Sequence, residues 1–463
     1  NTALPPGTPV AQHLAFSSDE VLEIDLTPNR GDACSHMGVA RELGALLDRA
    51  VQSPTVATLR DAPPLLPLHV EVLDEKACPR YAGIVNSGVK VQPSPPWLRD
   101  RLRAIGLHPI NNIVDVTNFV MHELGQPLHA FDYDQIVDQR ITVQRLEVGD
   151  ALVTLDGVAR KLSGEELIIC DGAGGIGMAG VLGGQRTQIQ SETRNIFLES
   201  AYFSPGAIRK AAKQHALKTD ASFRYERGID PQLTVYALRR AYALIQEVAQ
   251  GSQAAPLIDL HPRKIGPREI EVHYKNIDRL LGVSIPQAVI KDILRRLEIV
   301  VSHEKADSFV AAVPPYREDV RREVDIIEEV ASIYGYGRIE AVGKLGSAYL
   351  AKTSKPAQHK LRQSISLLLA AHGYHEIYTN SLTRSSYAKP DDAAAIQPVT
   401  ILNPLSEALD TLRTTLLGGG LEVIAHNIHR RQSDLKLFEF GKVYGQKGEG
   451  YTEKTRLALW LTG

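Results

Sequence analysis

Between residues 286 and 297 the apolar positions Val289, Ile290, Ile293, Leu294 and Leu297 fall at the spacing of one helical face, which predicts a helix from about Pro286. Helices are also predicted over His359 to His372, after Pro356, and near Leu416 to Ile428. Elsewhere the pattern shortens to strand-like runs: Ile141 to Leu146, Ala151 to Leu155 ahead of the turn pair Asp156-Gly157, Glu166 to Cys170, and Asn195 to Glu199. Further strands are predicted at Glu269 to His273, Glu376 to Ser381, Asp434 to Phe440 and from Arg456 onward. Two Pro-rich stretches without an apolar period, Ser53 to Pro67 and Pro256 to Pro267, read as linkers. The result is a multidomain α+β chain: a first segment, a strand-rich block of about 190 residues between the two linkers, a small mixed domain after the second linker, and a last domain led by the helix after Pro356.

One internal repeat crosses these boundaries. The segment beginning Pro28-Asn-Arg-Gly-Asp lies without gaps on the one beginning Pro315-Tyr-Arg-Glu-Asp, at a constant offset of 287. Both copies read Pro-x-Arg-x-Asp and then a helix, which marks either two related small domains or a shared helix entry in which Asp caps the first turn.

Composition narrows the classes. At 463 residues and 43% hydrophobic the chain can bury several cores, three domains or more at about 150 residues each. Lys+Arg of 52 against Asp+Glu of 54 gives a net charge of −2, so any RNA contact has to be local. Cys34, Cys78 and Cys170 are too scattered for a disulfide framework or a paired-cysteine zinc site, which fits a reducing cytoplasm. No apolar run approaches the roughly 18 residues of a membrane span. The chain starts at Asn1 without a signal pattern, and its last strand pattern runs to Gly463, so it is expected to be part of something longer.

Five features are candidates for chemistry. Asp325, Glu328 and Glu329 stand at i, i+3 and i+4 of a helix predicted to begin near Val320, with Asp319 at its edge. Such carboxylates need a counter-charge, supplied either by Mg²⁺ or by Arg317, Arg321 and Arg322. In the first copy Gly38 and Arg41 replace Asp325 and Glu328, which removes any metal site there. The run Gly175, Gly177, Gly180 imitates a dinucleotide fingerprint, but Val181 to Gln190 has no helical period, so those glycines are read as points of close backbone approach. His122-Glu123 fails as a zinc-protease helix because Gln126 takes the second ligand position. His129 and Glu199 are weak candidates by spacing, the latter a carboxylate closing the apolar run Ile196-Phe-Leu. Between Ser204 and Arg227 a local excess of basic residues, including Arg209, Lys210, Lys213, Lys218, Arg224 and Arg227, is the best phosphate-contact candidate.

Six blocks together resemble the β subunits of bacterial phenylalanine-tRNA ligases: LTPNRGDACSHMGVARELGALL, INNIVDVTNFVMHELGQPLHAFD, MAGVLGG, LESAYFSP with HALKTDASFRYERGIDP, YREDVRREVDIIEEVASIYGYGRI, and NPLSEALDTLRTTLLGGGLEVIAHNIHRRQSDLKLFEFGKVY. The resemblance implies a B1-type remnant with linker at 1–67, a B3/B4-type editing domain at 68–255, a related B5-type domain at 256–343, and part of a class II synthetase-like antiparallel-sheet domain at 344–463. It further implies a cytoplasmic α2β2 enzyme in which the α subunit charges tRNA(Phe) with ATP, while this chain alone activates no amino acid. The editing domain would hydrolyse Tyr-tRNA(Phe), because a Phe pocket cannot strongly reject an analogue that adds one hydroxyl. Residues implied for that site are His129, Glu199, Thr117 and Asn118 as catalytic, with Gly180, Thr219, Ala221 and His108 binding substrate; Glu199 would accept the tyrosine hydroxyl. Asp319, Asp325, Glu328 and Glu329 would be the Mg²⁺ set near the α subunit. His108 stands where the family usually has Arg, which leaves a scaffold with impaired editing as the alternative. A stand-alone Mg²⁺ hydrolase is a third class, without a nucleophile beside the quartet.

Overall fold

The computed structural model describes residues 5, 19–61, 64–340, 358–388 and 396–463, in two compact units, 1–341 and 342–463. The expected boundary at 343/344 and the Pro356 helix entry lie outside the described residues.

Two five-stranded sheets build the centre of the first unit. One runs in the order His69–Val72, Arg140–Arg145, Leu167–Asp171, Gly174–Met178, Leu182–Gly183, parallel at its first pair and antiparallel beyond. The other runs Ser252–Gln253, Arg80–Ser87, Ile196–Tyr202, Leu128–Asp132, all antiparallel, with Ile258–Leu260 also on Arg80–Ser87. The glycine run therefore lies in a strand, and no helix follows it.

Strand Ile196–Tyr202 is buried along its whole length because both faces of its sheet are covered. Phe197 and Ala201 point into a core shared with Phe131, Tyr81, Ile168 and Ile176. Ile196 and Leu198, one step out of phase, point to the other face, where Ile113, Val116 and Val120 of helix Asn112–Leu124 and Ala237, Ala241 and Ile245 of helix Thr234–Ala249 pack. Each large side chain taken out of water there contributes roughly 1.5–3 kcal/mol. Glu199 shares the phase of Phe197 and Ala201, so the period of two carries a carboxylate into the apolar inter-sheet space.

A third core joins strands Arg268–His273, Ser308–Val313 and Val300–Ser302 to helices Tyr274–Leu281, Gln287–Arg296 and Glu323–Tyr334, and takes in Ala45 from helix His36–Leu47. The helices of the two repeat copies, 36–47 and 323–334, begin and end at equivalent positions of the 287 offset. The Asp of the repeat motif caps neither, since Asp32 and Asp319 are bound by Arg30 and Arg317. Ser35 caps the first by accepting from the Gly38 N–H, and Asp325 accepts from the Arg321 and Arg322 N–H groups at the second. That second helix starts at Glu323, three residues after the predicted Val320, because the clamp formed by Arg317 and Asp319 holds the chain non-helical up to it.

In the second unit, strands Leu435–Lys447 and Gly450–Thr462 form a long antiparallel hairpin beside His375–Glu376. The hairpin is longer than the predicted strands at 434–440 and 456–463, since the polar Lys447–Gly450 turn pairs residues with no apolar alternation. The strand expected over Glu376 to Ser381 stops at Glu376, where Thr379 instead bonds the Glu439 carboxylate. Helices Gln358–Ala371 and Leu417–Ile428 fall where predicted.

Candidate functional site

Glu199 is the chemically unusual group of the inter-sheet space. It is directly opposite Gly83 on one neighbouring strand and His129 on the other. Tyr81, two residues along from Gly83 on the same face, donates its hydroxyl to Glu199 Oε2 at 2.7 Å. No other hydrogen bond reaches the Glu199 side chain among the described residues, and no cation stands beside it there. Burial pushes its carboxyl up to about 7, the Tyr81 hydrogen bond pulling the other way.

A cavity of about 70 Å³ opens at this carboxylate, lined by Glu199, His129, Phe131, Gly180, Ala221 and Tyr225 among others. His129 stands edge-on to Phe131 with centroids 4.5 Å apart and its ring has no hydrogen-bond partner among the described residues; burial lowers it to about 4, so it is neutral at pH 7. Two glycines make this possible. A Cβ at Gly183 would sit 2.5 Å from the His129 ring, and Gly180 combines φ +65° with a Cβ position 2.9 Å from the Tyr225 ring. The chemistry on offer is a titratable acceptor, a neutral imidazole able to take a proton from water, and apolar walls.

The structure gathers His129, Glu199, Gly180 and Ala221 from the set implied by resemblance. Thr219 stands behind the cavity, capping helix Asp220–Tyr225 and donating its hydroxyl to the carbonyl of Val181 in the lining. Thr117 and Asn118 are not in the lining; their helix packs on the opposite face of the sheet, and the Thr117 hydroxyl is spent on the Val114 carbonyl. His108 is exposed and also outside the lining. Sequence reasoning missed Tyr81, Gly183 and Tyr225. The alternation of Arg80-Tyr-Ala-Gly puts Tyr81 and Gly83 on one face, but which strand lies opposite is not written in it.

The basic run is partly consumed internally. Arg224 is buried and donates to the Cys34 and Asp220 carbonyls, Arg209 to the Glu226 carbonyl; Lys210 pairs with Glu165 and Arg227 with Glu226. The side chains of Lys213 and Lys218 are exposed and have neither hydrogen bond nor ion pair among the described residues.

The carboxylate quartet is organised by arginine. Arg317 binds both oxygens of Asp319, at 3.1 and 3.0 Å, and reaches Glu329 at 2.7 Å. Arg30 repeats this in the first copy, on Asp32 at 3.0 Å and Glu42 at 2.8 Å, and the copies approach through Arg317 and Asp32 at 4.0 Å. Burial works to raise Asp325, but the Arg322 guanidinium and two backbone N–H groups hold it below the ordinary carboxylate range. Glu328 is exposed. Among the described residues no three His, Cys, Asp or Glu side chains assemble into a group that could hold a metal ion. The expected Mg²⁺ donors thus do not fit that ion as they are placed here.

A larger cavity, about 400 Å³, lies in the second unit between Thr379, Arg413, Glu422 and His426. Arg413, its cation, is already committed to Glu439 at 2.9 Å, to Thr379 and to the Lys442 carbonyl. It offers no unsatisfied charge comparable to Glu199.

A stack of aminoacyl-tRNA synthetase modules accounts for these folds. Family models described as the B3/4 domain, the tRNA synthetase B5 domain and the phenylalanyl tRNA synthetase beta chain CLM domain match residues 77–250, 270–336 and 344–463. The phenylalanine--tRNA ligase beta subunit of Bacteroides fragilis is 43% identical over 99% of this chain and 58% of that protein. Those of Salinibacter ruber and Thermotoga maritima are 40% and 36% identical, over 99% and 96% of this chain and 57% and 56% of theirs. The chain belongs to the bacterial phenylalanine-tRNA ligase beta-subunit family, and it spans somewhat over half the length of these relatives. No helix among the described residues is long and apolar enough to cross a membrane.

Proposed function

We propose that the 68–255 block hydrolyses the ester of tyrosine wrongly attached to tRNA(Phe), as the editing part of a ligase whose separate α subunit performs ATP-dependent charging. The observation that carries this is the buried Glu199 carboxylate, without a cation, in a small apolar cavity facing a neutral His129. An ionised Glu199 left unpaired is costly in such surroundings, so a ligand that brings a hydroxyl is favoured over one that does not. In this reading His129 accepts a proton from an attacking water and returns it to the departing ribose oxygen, as the ester bond breaks and tyrosine is released. At about 70 Å³ the cavity holds only a few waters, so an aromatic side chain enters by widening it.

The same reading assigns tRNA(Phe) and the α subunit of a cytoplasmic α2β2 assembly as partners and a class II synthetase-like role without amino-acid activation to 344–463. A magnesium ion at Asp319, Asp325, Glu328 and Glu329 would have to displace Arg317 or draw oxygen donors from a second chain, and we propose it only for the assembly with α. The scaffold alternative rested on His108, which lies outside the cavity lining. The deciding experiment is deacylation of Tyr-tRNA(Phe) against Phe-tRNA(Phe) by this chain. Preferential loss of tyrosine supports the reading, and equal background rates remove it.

A further inference from the structure

We propose that Tyr81 is the positioning residue of this specificity: its hydroxyl, bonded to Glu199 Oε2, fixes the carboxylate so that Oε1 is the oxygen left for a ligand hydroxyl. The inference rests on the reading of the cavity as a hydrolytic site.

The register makes the arrangement specific. Tyr81 is opposite Ala201, and Glu199 is two residues before Ala201 on the same strand, so both side chains rise from one face in diagonal contact. Both are enclosed, at 0% and 5% exposure, and the 2.7 Å bond is the sole protein hydrogen bond on the Glu199 carboxylate among the described residues. A Glu has three side-chain torsions, and an unheld carboxylate in a cavity can turn either oxygen to a ligand or to a wall. With the phenol on Oε2, one orientation is selected.

The phenol also decides in which state Glu199 meets its ligand. Phenol donation favours the ionised carboxylate, while burial disfavours it. Every other titratable group around Glu199 is neutral near pH 7: His129 on the adjacent strand is lowered, and Cys78 and Tyr225 are raised by burial. The facing sheet contributes Ile169, Gly177, Met178 and Leu182 to the lining and no charge. Tyr81 is therefore the one neighbour that pulls the carboxyl toward ionisation. Discrimination by an ionised acceptor is strong, because a phenylalanyl group would leave the charge unpaired; discrimination by a protonated one is weaker.

The test compares wild type with Tyr81→Phe, following kcat/KM for Tyr-tRNA(Phe) and Phe-tRNA(Phe) from pH 5.5 to 8.5 with uncatalysed hydrolysis subtracted. The wild-type ratio should rise through a midpoint near 7. In Tyr81→Phe the ratio at pH 7 should fall about tenfold, the value of one charged hydrogen bond, and the midpoint should move upward. Replacing Tyr81 by difluorotyrosine, a stronger donor that keeps the shape, should move the midpoint down. A role in packing alone would slow both esters equally, leave both midpoints in place, and overturn the proposal. Wild type that hydrolyses neither ester, here and in the assembled ligase, removes the editing reading and Tyr81 with it. Wild-type discrimination with an unaltered profile in both Tyr81 variants removes Tyr81 alone.

Discussion

Carboxylates largely withdrawn from water meet opposite treatment in two parts of the first unit. Around Arg317, Asp319 and Glu329 share one guanidinium, and burial, which opposes that charge, is outweighed by the two carboxylates. At Glu199 the same residue type is enclosed with nothing but a phenol, and its carboxyl is pushed to about 7. The first arrangement closes on itself and has no capacity left for a ligand. The second leaves an oxygen unmatched at a cavity, and that unmatched oxygen is what a substrate hydroxyl can satisfy. Burial alone marks neither site as functional; the missing counter-charge does.

Removing the guanidinium is the strongest way to break the contrast. Arg317→Ala leaves Asp319 and Glu329 enclosed without a partner and should destabilise the 1–341 unit by about 3–5 kcal/mol, read as a lowered urea midpoint. A loss under about 1 kcal/mol would place the cluster among weak surface pairs.

At Glu199 the same manipulation should have the opposite sign. Its folded carboxyl, raised from 4.5 to about 7, holds a proton that the unfolded chain has released, so stability falls as pH climbs through that window and stays low above it. Shifts of this size amount to roughly 3 kcal/mol. Glu199→Gln should abolish that slope, leaving the variant more stable than wild type at pH 8, while lowering the tyrosyl over phenylalanyl preference about tenfold to a hundredfold. Parallel pH profiles of urea midpoints for the two proteins would refute the raised carboxyl.

The two sites also differ in how far the sequence exposes them. The Arg317 clamp is legible, because the Pro-x-Arg-x-Asp repeat keeps Arg, Asp and the Glu twelve residues after Arg at equivalent places: Arg30, Asp32, Glu42 and Arg317, Asp319, Glu329. What the repeat leaves open is the choice between metal and arginine, which depends on where a flexible side chain turns. Glu199 is legible as a carboxylate closing an apolar run, and strands at 141–146 and 166–170 appear within one residue of their predicted places. Its neighbours are not, since His129 and Tyr81 reach it from strands about 70 and 120 residues away, through pairings that no local period encodes. Thr117 and Asn118 illustrate the same limit, since their helix Asn112–Leu124 packs on the other face of the sheet from the cavity.

A finer contrast lies between the repeat copies. Arg30 makes the same bonds as Arg317 but its side chain is 21% exposed against 2%. Water can replace part of what is lost, so Arg30→Ala should cost only about 1 kcal/mol, a small fraction of the Arg317 effect. Equal losses at the two positions would mean that the copies act as one clamp through the Arg317–Asp32 approach.

The smallest expected effect is that of magnesium on this chain. Asp319 and Glu329 are held by Arg317, Asp325 is held by the Arg321 and Arg322 N–H groups, and Glu328 alone is exposed. One free carboxylate does not supply the octahedral oxygen set that Mg²⁺ requires, so melting temperatures in millimolar Mg²⁺ and in EDTA should coincide. Asp325→Ala should then lower stability by about 1 kcal/mol as the loss of a helix-entry acceptor, equally with and without the ion, and Glu328→Ala should change nothing. Arg317→Ala reverses the logic, because it leaves Asp319 and Glu329 without their cation. In that background Mg²⁺ should raise the melting temperature, since an ion that binds only the folded state stabilises it by mass action. A wild-type shift with Mg²⁺ would show that the ion can displace the guanidinium, and the division between a self-satisfied cluster and an open one would no longer hold.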